Sequence, residues 1–388
     1  MAVLRVRRGM SQQVLADRIG KSKSWVDKVE RGVRTLDRLS VIETVAKVLG
    51  VAPNVLLAEQ TRPEPGTDLG TDVELVRAAL ARHDPPETDS PSLRQLDDQV
   101  GYAWTAYRNG YHPQVLRTLP GLLTGTRHPY HLQDGDASAA DLRVRVYRLT
   151  AQTLVKLGEP HLAWLAADRA MTAATGDPHR TALATVSLAQ ALRALRRGRL
   201  ATTAALTAVH QLDRTPTRIL RPDEPGVTGT LLTEAALAAA AHGDAATAHD
   251  LTAHAERLAT TRDERQQPDS DGITFGPTAV TLARAVTATR LGDHQQAVTL
   301  HRQATSQDGW HRLPAEHRAA HLIDITRAYL DLGNAAAAGR ALVTADHIAP
   351  AEIRSRPAAR AALTAVLHAG PTSADVTRLA ALVGLTRQ

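Results

Sequence analysis

A chain of 388 residues with 46 Lys+Arg, 40 Asp+Glu and a formal net charge of +6 is long enough for two or three domains with substantial cores. It contains no cysteine, which excludes disulfides, thiolate catalysis and zinc-thiolate sites together. No apolar run approaches the ~18 residues needed to span a bilayer and no signal-peptide pattern opens the chain, so a cytoplasmic protein with no membrane partner is expected.

Aromatic residues make up 3% and phenylalanine occurs once, while Ala, Leu, Thr, Arg and His dominate. A core of small residues suits closely packed helices better than a sheet sandwich, because alanine is the best helix former and lets helix axes approach. The expected class is therefore all-α.

The first helix falls within Ala2 to Arg8, with Leu4 as its main apolar contact. From Met10 to Gly32 the segment MSQQVLADRIGKSKSWVDKVERG reads as two short helices joined by a tight turn. Val14, Leu15 and Ile19, then Val26 and Val29, recur at helical spacing on one face, with Gly20 between the two sets. Ser11 and Ser22 stand where a side chain caps free backbone N–H groups. That is the pattern of a helix-turn-helix. Beyond Gly32 and Val33-Arg34-Thr35, the residues Leu36, Leu39, Ile42, Val45, Ala46 and Leu49 mark an amphipathic helix ended by Gly50. A last turn from Pro53 to Ala58 completes a five-helix domain over residues 1–58.

Charge supports a nucleic-acid partner. Residues 1–60 hold 11 Lys+Arg and 6 Asp+Glu, a net of +5, and four of the five lysines, Lys21, Lys23, Lys28 and Lys47, lie there. A basic cluster on a small module is the electrostatic footprint of phosphate binding.

The order Ser11-Gln12-x-x-Leu15-Ala16, then Gly20, Ser22, Trp25, Val26, Val29 and Glu30-Arg31-Gly32, resembles the Cro/repressor-type (XRE) helix-turn-helix family. The resemblance implies that Ser22 to Glu30 is the helix entering a DNA major groove. Lys23, Ser24, Trp25 and Lys28, just after the capping Ser22, are then the groove or base contacts. Arg8 and Gln12 suit phosphate contacts, which orient the domain but read no sequence. Asp27, next to a polyanion, either accepts from a cytosine amino group or pairs locally with Lys23 or Lys28, and local pairing is the preferred reading. Leu15, Val26 and Val29 are expected in the core.

Residues 59–72, EQTRPEPGTDLGTD, read as a linker rich in Pro, Gly and Asp. A helix follows at about Val73 to His83, then a second break, DPPETDSPS, so that 59–91 form a linker carrying one helix. From about residue 92 to the end the chain repeats. Glycines at 110, 158, 198, 243, 292 and 333 each end an apolar-periodic helix, at separations of 48, 40, 45, 49 and 41. Alanine recurs five residues later at Ala163, Ala248, Ala297 and Ala338, and twelve later at Ala170, Ala255, Ala304 and Ala345. It also recurs seven residues before, at Ala103, Ala151, Ala191, Ala236 and Ala285. Small residues at fixed places on both helices of a hairpin are what close antiparallel crossing demands. Asp213 to Gly226 and Thr261 to Gly276 read as long inserts, and a poorer seventh hairpin surrounds Gly370.

These registers resemble the tetratricopeptide repeat family. The resemblance implies a right-handed α-solenoid over 92–388 whose first helices line a concave groove. In that family the groove-facing positions fall 13, 10, 6, 3 and 2 residues before the hairpin glycine. The corresponding residues are Trp104, Tyr107, Arg108, Arg145, Arg148, Gln152, Lys156, Arg196, Arg290 and Arg327, with Asp331. Such a groove would be basic with an aromatic end, suited to an acidic peptide or a terminal carboxylate. Arginines that merely solvate helix faces are the alternative.

No Walker loop, GxGxxG, HExxH or GxSxG appears, so neither an enzyme nor a cofactor is expected. His317 and His321 sit one helical turn apart without a third ligand, and are expected to be exposed to solvent. The combination resembles bacterial regulators of the Rap, NprR and PlcR kind. It implies a homodimeric transcription regulator binding double-stranded DNA and sensing a peptide or small-molecule effector. Relatives of that kind hold a peptide backbone with groove asparagines. Here the asparagines are Asn54, Asn109 and Asn334, one in the DNA-binding domain and two beside hairpin glycines. The alternative is a DNA-bound scaffold that recruits a protein partner without sensing a ligand.

Overall fold

The computed structural model describes residues 1–31, 39–50, 69–82, 91–127, 137–214, 223–260 and 273–385, and every regular element among them is a helix. The chain divides into two compact units, Met1–Thr71 and Asp72–Gln388.

The first unit holds α1 (Ala2–Arg7), α2 (Gln12–Ile19), α3 (Lys23–Glu30) and α4 (Leu39–Leu49). The helix expected near Pro53 to Ala58 lies outside the described residues, as does Leu36. Leu15, Ala16, Ile19, Val26, Val45, Ala46 and Leu49 form the core. Val29 is half-buried. Val14, expected on the apolar face, is 40% exposed instead, because α2 turns Leu15 and Ile19 inward one residue further round the helix.

The second unit is a succession of antiparallel helical hairpins, preceded by α5 (Leu69–Ala81), which straddles the boundary between units. The hairpins pair α6 (Leu93–Arg108) with α7 (His112–Gly125), α8 (Ala137–Lys156) with α9 (Pro160–Ala173), and α10 (Pro178–Ala194) with α11 (Gly198–Asp213). Next come α12 (Glu224–Ala241) with α13 (Ala245–Thr260), and α14 (Pro277–Leu291) with α15 (His294–Thr305). A short α16 (Asp308–Arg312) leads to α17 (Ala315–Asp331) with α18 (Ala335–Ile348). The unit ends with α19 (Pro350–Arg354), α20 (Pro357–His368) and α21 (Ala374–Leu382), and α20 and α21 both pack on α18.

All thirteen register alanines are buried, each at most 1% exposed. With no side chain beyond Cβ at the crossings, the paired helices pack backbone against backbone. Five of the six hairpin glycines, Gly110, Gly158, Gly243, Gly292 and Gly333, take φ between 72 and 88°, the left-handed turn that ends the first helix. Gly198 departs from this pattern: it starts α11, and the left-handed residue of its turn is Arg196 at φ 59°. A Cβ at Gly198 would stand 2.9 Å from the Ala238 carbonyl oxygen, so this glycine serves close helix approach rather than the turn. Of the expected insert at 213–226, Glu224 onward is already helical.

The helical unit closes on itself, which the picture of an open groove did not anticipate. A Cβ added to Gly110 would stand 2.8 Å from that of Ala349, and one added to Gly158 would stand 2.9 Å from Pro357. Across this seam the carboxylate of Glu352, wholly buried, meets His112 Nε2 at 2.6 Å, Lys156 Nζ at 2.8 Å and Arg356 Nη1. Lys156 also pairs with Glu316. Burial opposes the charge on Glu352, but Lys156, Arg356 and His112 outweigh it and hold the carboxyl well below its usual range.

Candidate nucleic-acid interface and central cavity

In the first unit, the local sequence builds the turn between α2 and α3. The Ser11 hydroxyl accepts from the Val14 amide at 3.2 Å and the Ser22 hydroxyl from the Trp25 amide at 3.1 Å. Gly20 ends α2 with φ 66°, a left-handed conformation that costs glycine nothing. Val26 anchors α3 in the core, which leaves Ser24 and Lys28 exposed on the opposite side and Lys23 exposed at its first turn, beside Lys21 and Ser22. Trp25 is half-buried. Asp27 pairs locally, with Arg31 one turn on rather than with Lys23 or Lys28.

What holds α3 in place was not singled out in the sequence. Arg5 on α1 grips Glu30 with both ends of its guanidinium, Nε to Oε1 at 2.7 Å and Nη2 to Oε2 at 2.9 Å, and also donates to the Met10 carbonyl at 2.7 Å. Gln12 donates to the same carboxylate at 2.9 Å, so the amide nitrogen assigned to a phosphate faces Glu30 instead. Burial acts to raise the Glu30 pKa, but the hydrogen bonds from Arg5 and Gln12 prevail and hold it below the usual range. Arg8 is exposed and donates to the Gly50 carbonyl at 3.1 Å, capping the end of α4.

In the second unit, the first helices of the hairpins line a partly open cavity of about 210 Å³. Tyr107 of α6, Gln152 of α8, Gln190 and Arg193 of α10, Glu234 of α12 and Glu316, His317, His321 and Asp324 of α17 supply its polar wall. Phe275, the one phenylalanine of the chain, supplies an aromatic wall. Its ring lies where a Cβ on Gly229 would be, so only glycine at 229 leaves it room. Glu234 accepts from Gln190 at 2.8 Å and from Arg193 at 3.0 Å.

Of the residues assigned to a basic groove, only Tyr107 and Gln152 line this cavity. Trp104 and Arg148 are core residues at 1% and 0% exposure, with the Arg148 guanidinium 5.6 Å from the Trp104 ring centroid. Trp104 in turn meets Tyr107 edge to face at 5.7 Å. Lys156 is drawn into the seam by Glu316 and Glu352. Arg145 pairs with Asp97 in a separate cleft of about 480 Å³ that Arg94 and Arg180 also line. Arg108 is half-buried, Arg196 and Arg290 are exposed, and Arg327 bonds Asp331 at 2.9 Å on an exposed face. Family spacing picks residues on the first helices of the hairpins. It could not show that closure of the unit brings acidic residues of α17 and α19 against the basic ones of α8.

His321 is likewise buried, not exposed, and His317 is half-buried. His321 Nε2 lies 3.0 Å from His301 Nδ1, with the two rings stacked at 5.2 Å. Burial pushes His301 down to about 4 and His321 well below its usual range, so both are neutral at pH 7. No group of three or more metal-binding side chains gathers among the described residues.

Comparison with known proteins bears on the first unit above all. A family model described as a helix-turn-helix domain matches residues 1–60. The HTH-type transcriptional regulator SinR of Bacillus licheniformis is 35% identical over 78 residues, which are 20% of this chain and 70% of that protein. Among solved structures, Bacillus thuringiensis PlcR in complex with the peptide PapR7 and DNA aligns over 89% of this chain and 92% of its own, at 9% identity and a TM-score of 0.39. With the capped turn, the exposed lysines of α3 and a relative matched over most of its length, the chain belongs to the Cro/repressor-type family of helix-turn-helix transcriptional regulators.

Proposed function

We propose that this DNA-binding regulator reads a specific operator through α3 as a homodimer, and that its helical-repeat unit senses a peptide or small-molecule signal. The observation that carries the first part is the exposed Lys23, Ser24 and Lys28 of α3, with Lys21 in the turn before it, on a helix anchored in the core by Val26. A helix presented this way offers charge to phosphates and short polar side chains to base edges. Residues 1–58, 59–91 and 92–388 are the proposed head, linker and sensor.

The cavity supports sensing, and its size favours a compact effector. About 210 Å³ falls below the roughly 300–1,000 Å³ of sites that take drug-sized ligands, and an extended peptide is larger still. A genomic footprint of the bound protein tests the DNA reading. Paired protected half-sites about one helical turn apart support the dimer, a single protected site points to a monomer, and no protection at low salt overturns operator reading.

A further inference from the structure

We propose that the central cavity takes a compact cationic ligand, an ammonium group carried on an apolar or aromatic body, the reverse of the acidic ligand that the arginine spacing suggested. The proposal rests on the reading of the helical unit as a sensor and names the chemical class that it senses.

The charges on the wall decide the sign. Glu234, Glu316 and Asp324 line the cavity against one basic lining side chain, Arg193, which already serves Glu234 at 3.0 Å, while Arg290, outside the lining, acts on Asp324 and Glu234 from nearby. The carboxylate of Asp324 is exposed to the cavity mouth and has no hydrogen bond or ion pair among the described residues. Glu316 is held by Lys156 from behind. At His317 these three carboxylates all favour positive charge and Lys156 alone opposes them, although burial keeps the ring neutral. Neither Arg145, paired with Asp97 in a separate cleft, nor Arg148, buried against Trp104, lines the cavity.

The remaining wall suits the body of such a ligand. Phe275 presents aromatic surface, which attracts an ammonium through the ring quadrupole, while Tyr107 adds apolar wall, its ring already carrying Lys156 Nζ at 5.7 Å. His321, 3% exposed, leaves Nδ1 without a hydrogen-bond partner among the described residues. With its Nε2–H donated to His301, that Nδ1 is an unpartnered acceptor closed to solvent behind the wall. The carboxylates fix the cation, and Phe275 with the apolar wall takes the body.

Isothermal titration calorimetry of the full chain at pH 7 tests this with three probes of similar size: phenethylamine, 2-phenylethanol and phenylacetate. Saturable binding of phenethylamine, at least about tenfold tighter than the alcohol, is expected, with no binding of the acid. Asp324→Asn should weaken the amine about tenfold and leave the alcohol unchanged, whereas Phe275→Leu should weaken both. Circular dichroism confirms that each variant is folded. Acid bound as tightly as amine, no saturable binding of the amine, or an amine affinity indifferent to Asp324→Asn overturns the proposal. Operator affinity measured with and without saturating amine separates the two readings. Binding in the cavity without any change at DNA upholds the site and overturns sensing, and binding with a change upholds both.

Discussion

Glu352 is the residue on which closure of the helical unit turns, and Glu352→Gln tests that directly. The substitution keeps the shape but removes a charge shared by His112, Lys156 and Arg356 at a site with no solvent access. Removing one partner from a buried ion pair costs about 3–5 kcal/mol, since the remaining charge is left desolvated. Lys156 keeps Glu316, so the lower end applies, about 3 kcal/mol. At about 2 °C per kcal/mol for a unit of this size, the thermal midpoint of the helical unit should fall by about 6 °C. Amides of α7 and α19 should gain hydrogen exchange ahead of the rest. Circular dichroism at 222 nm and exchange mass spectrometry read the two effects. A loss under about 1 kcal/mol, or unchanged protection across 110–125 and 349–357, would refute the role given to the seam. Because the folded-state pKa of Glu352 is depressed, its contribution is complete above the ordinary carboxylate range of about 4.3 and is lost only as pH falls below it.

Other outcomes follow from the same geometry. Lys23→Ala and Lys28→Ala should each weaken operator binding by about tenfold or more with helix content unchanged, checked by fluorescence anisotropy beside circular dichroism. Affinity unchanged from the wild type in both variants would remove α3 as the reading helix. Glu30→Gln should destabilise the first unit by about 2–4 kcal/mol in urea titration, because Arg5 and Gln12 lose a buried carboxylate. A change under about 0.5 kcal/mol would show that α1 does not hold α3. His301 binds a proton at about 6.5 when unfolded and only at about 4 when folded, so its contribution is present above pH 6.5 and lost as pH falls toward 4. Between pH 7 and pH 5 this amounts to about 2 kcal/mol, and the urea stability of a His301→Gln variant should lack that part of the decline.

The parts of this architecture that could be read in the sequence are those written locally. Ser11, Gly20 and Ser22 specify the turn through bonds spanning only a few residues, and the caps form as their positions predict. The alanine registers could be read for the same reason, since a helix crossing repeats its requirement in every hairpin. Contacts between distant segments could not. His112 and Glu352 are 240 residues apart, and nothing near either announces the other. The groove charge was misjudged on that account: spacing placed Lys156 and Arg148 on the inner face, but their partners come from elsewhere in the unit. Gly198 was assigned a turn and instead admits a neighbouring helix, a distinction that depends on Ala238 rather than on its own neighbours in sequence.

The placement of the lysines has a practical effect on any assay that couples the protein through primary amines. Lys21, Lys23, Lys28 and Lys47 are exposed on the first unit, while Lys156 is locked in the seam at 9% side-chain exposure. Acylating dyes, biotin esters and amine-reactive sensor chips will therefore modify the head and spare the repeats, blocking the surface assigned to DNA. Attachment through an engineered cysteine in the helical unit, for which the cysteine-free chain offers no competitor, avoids this.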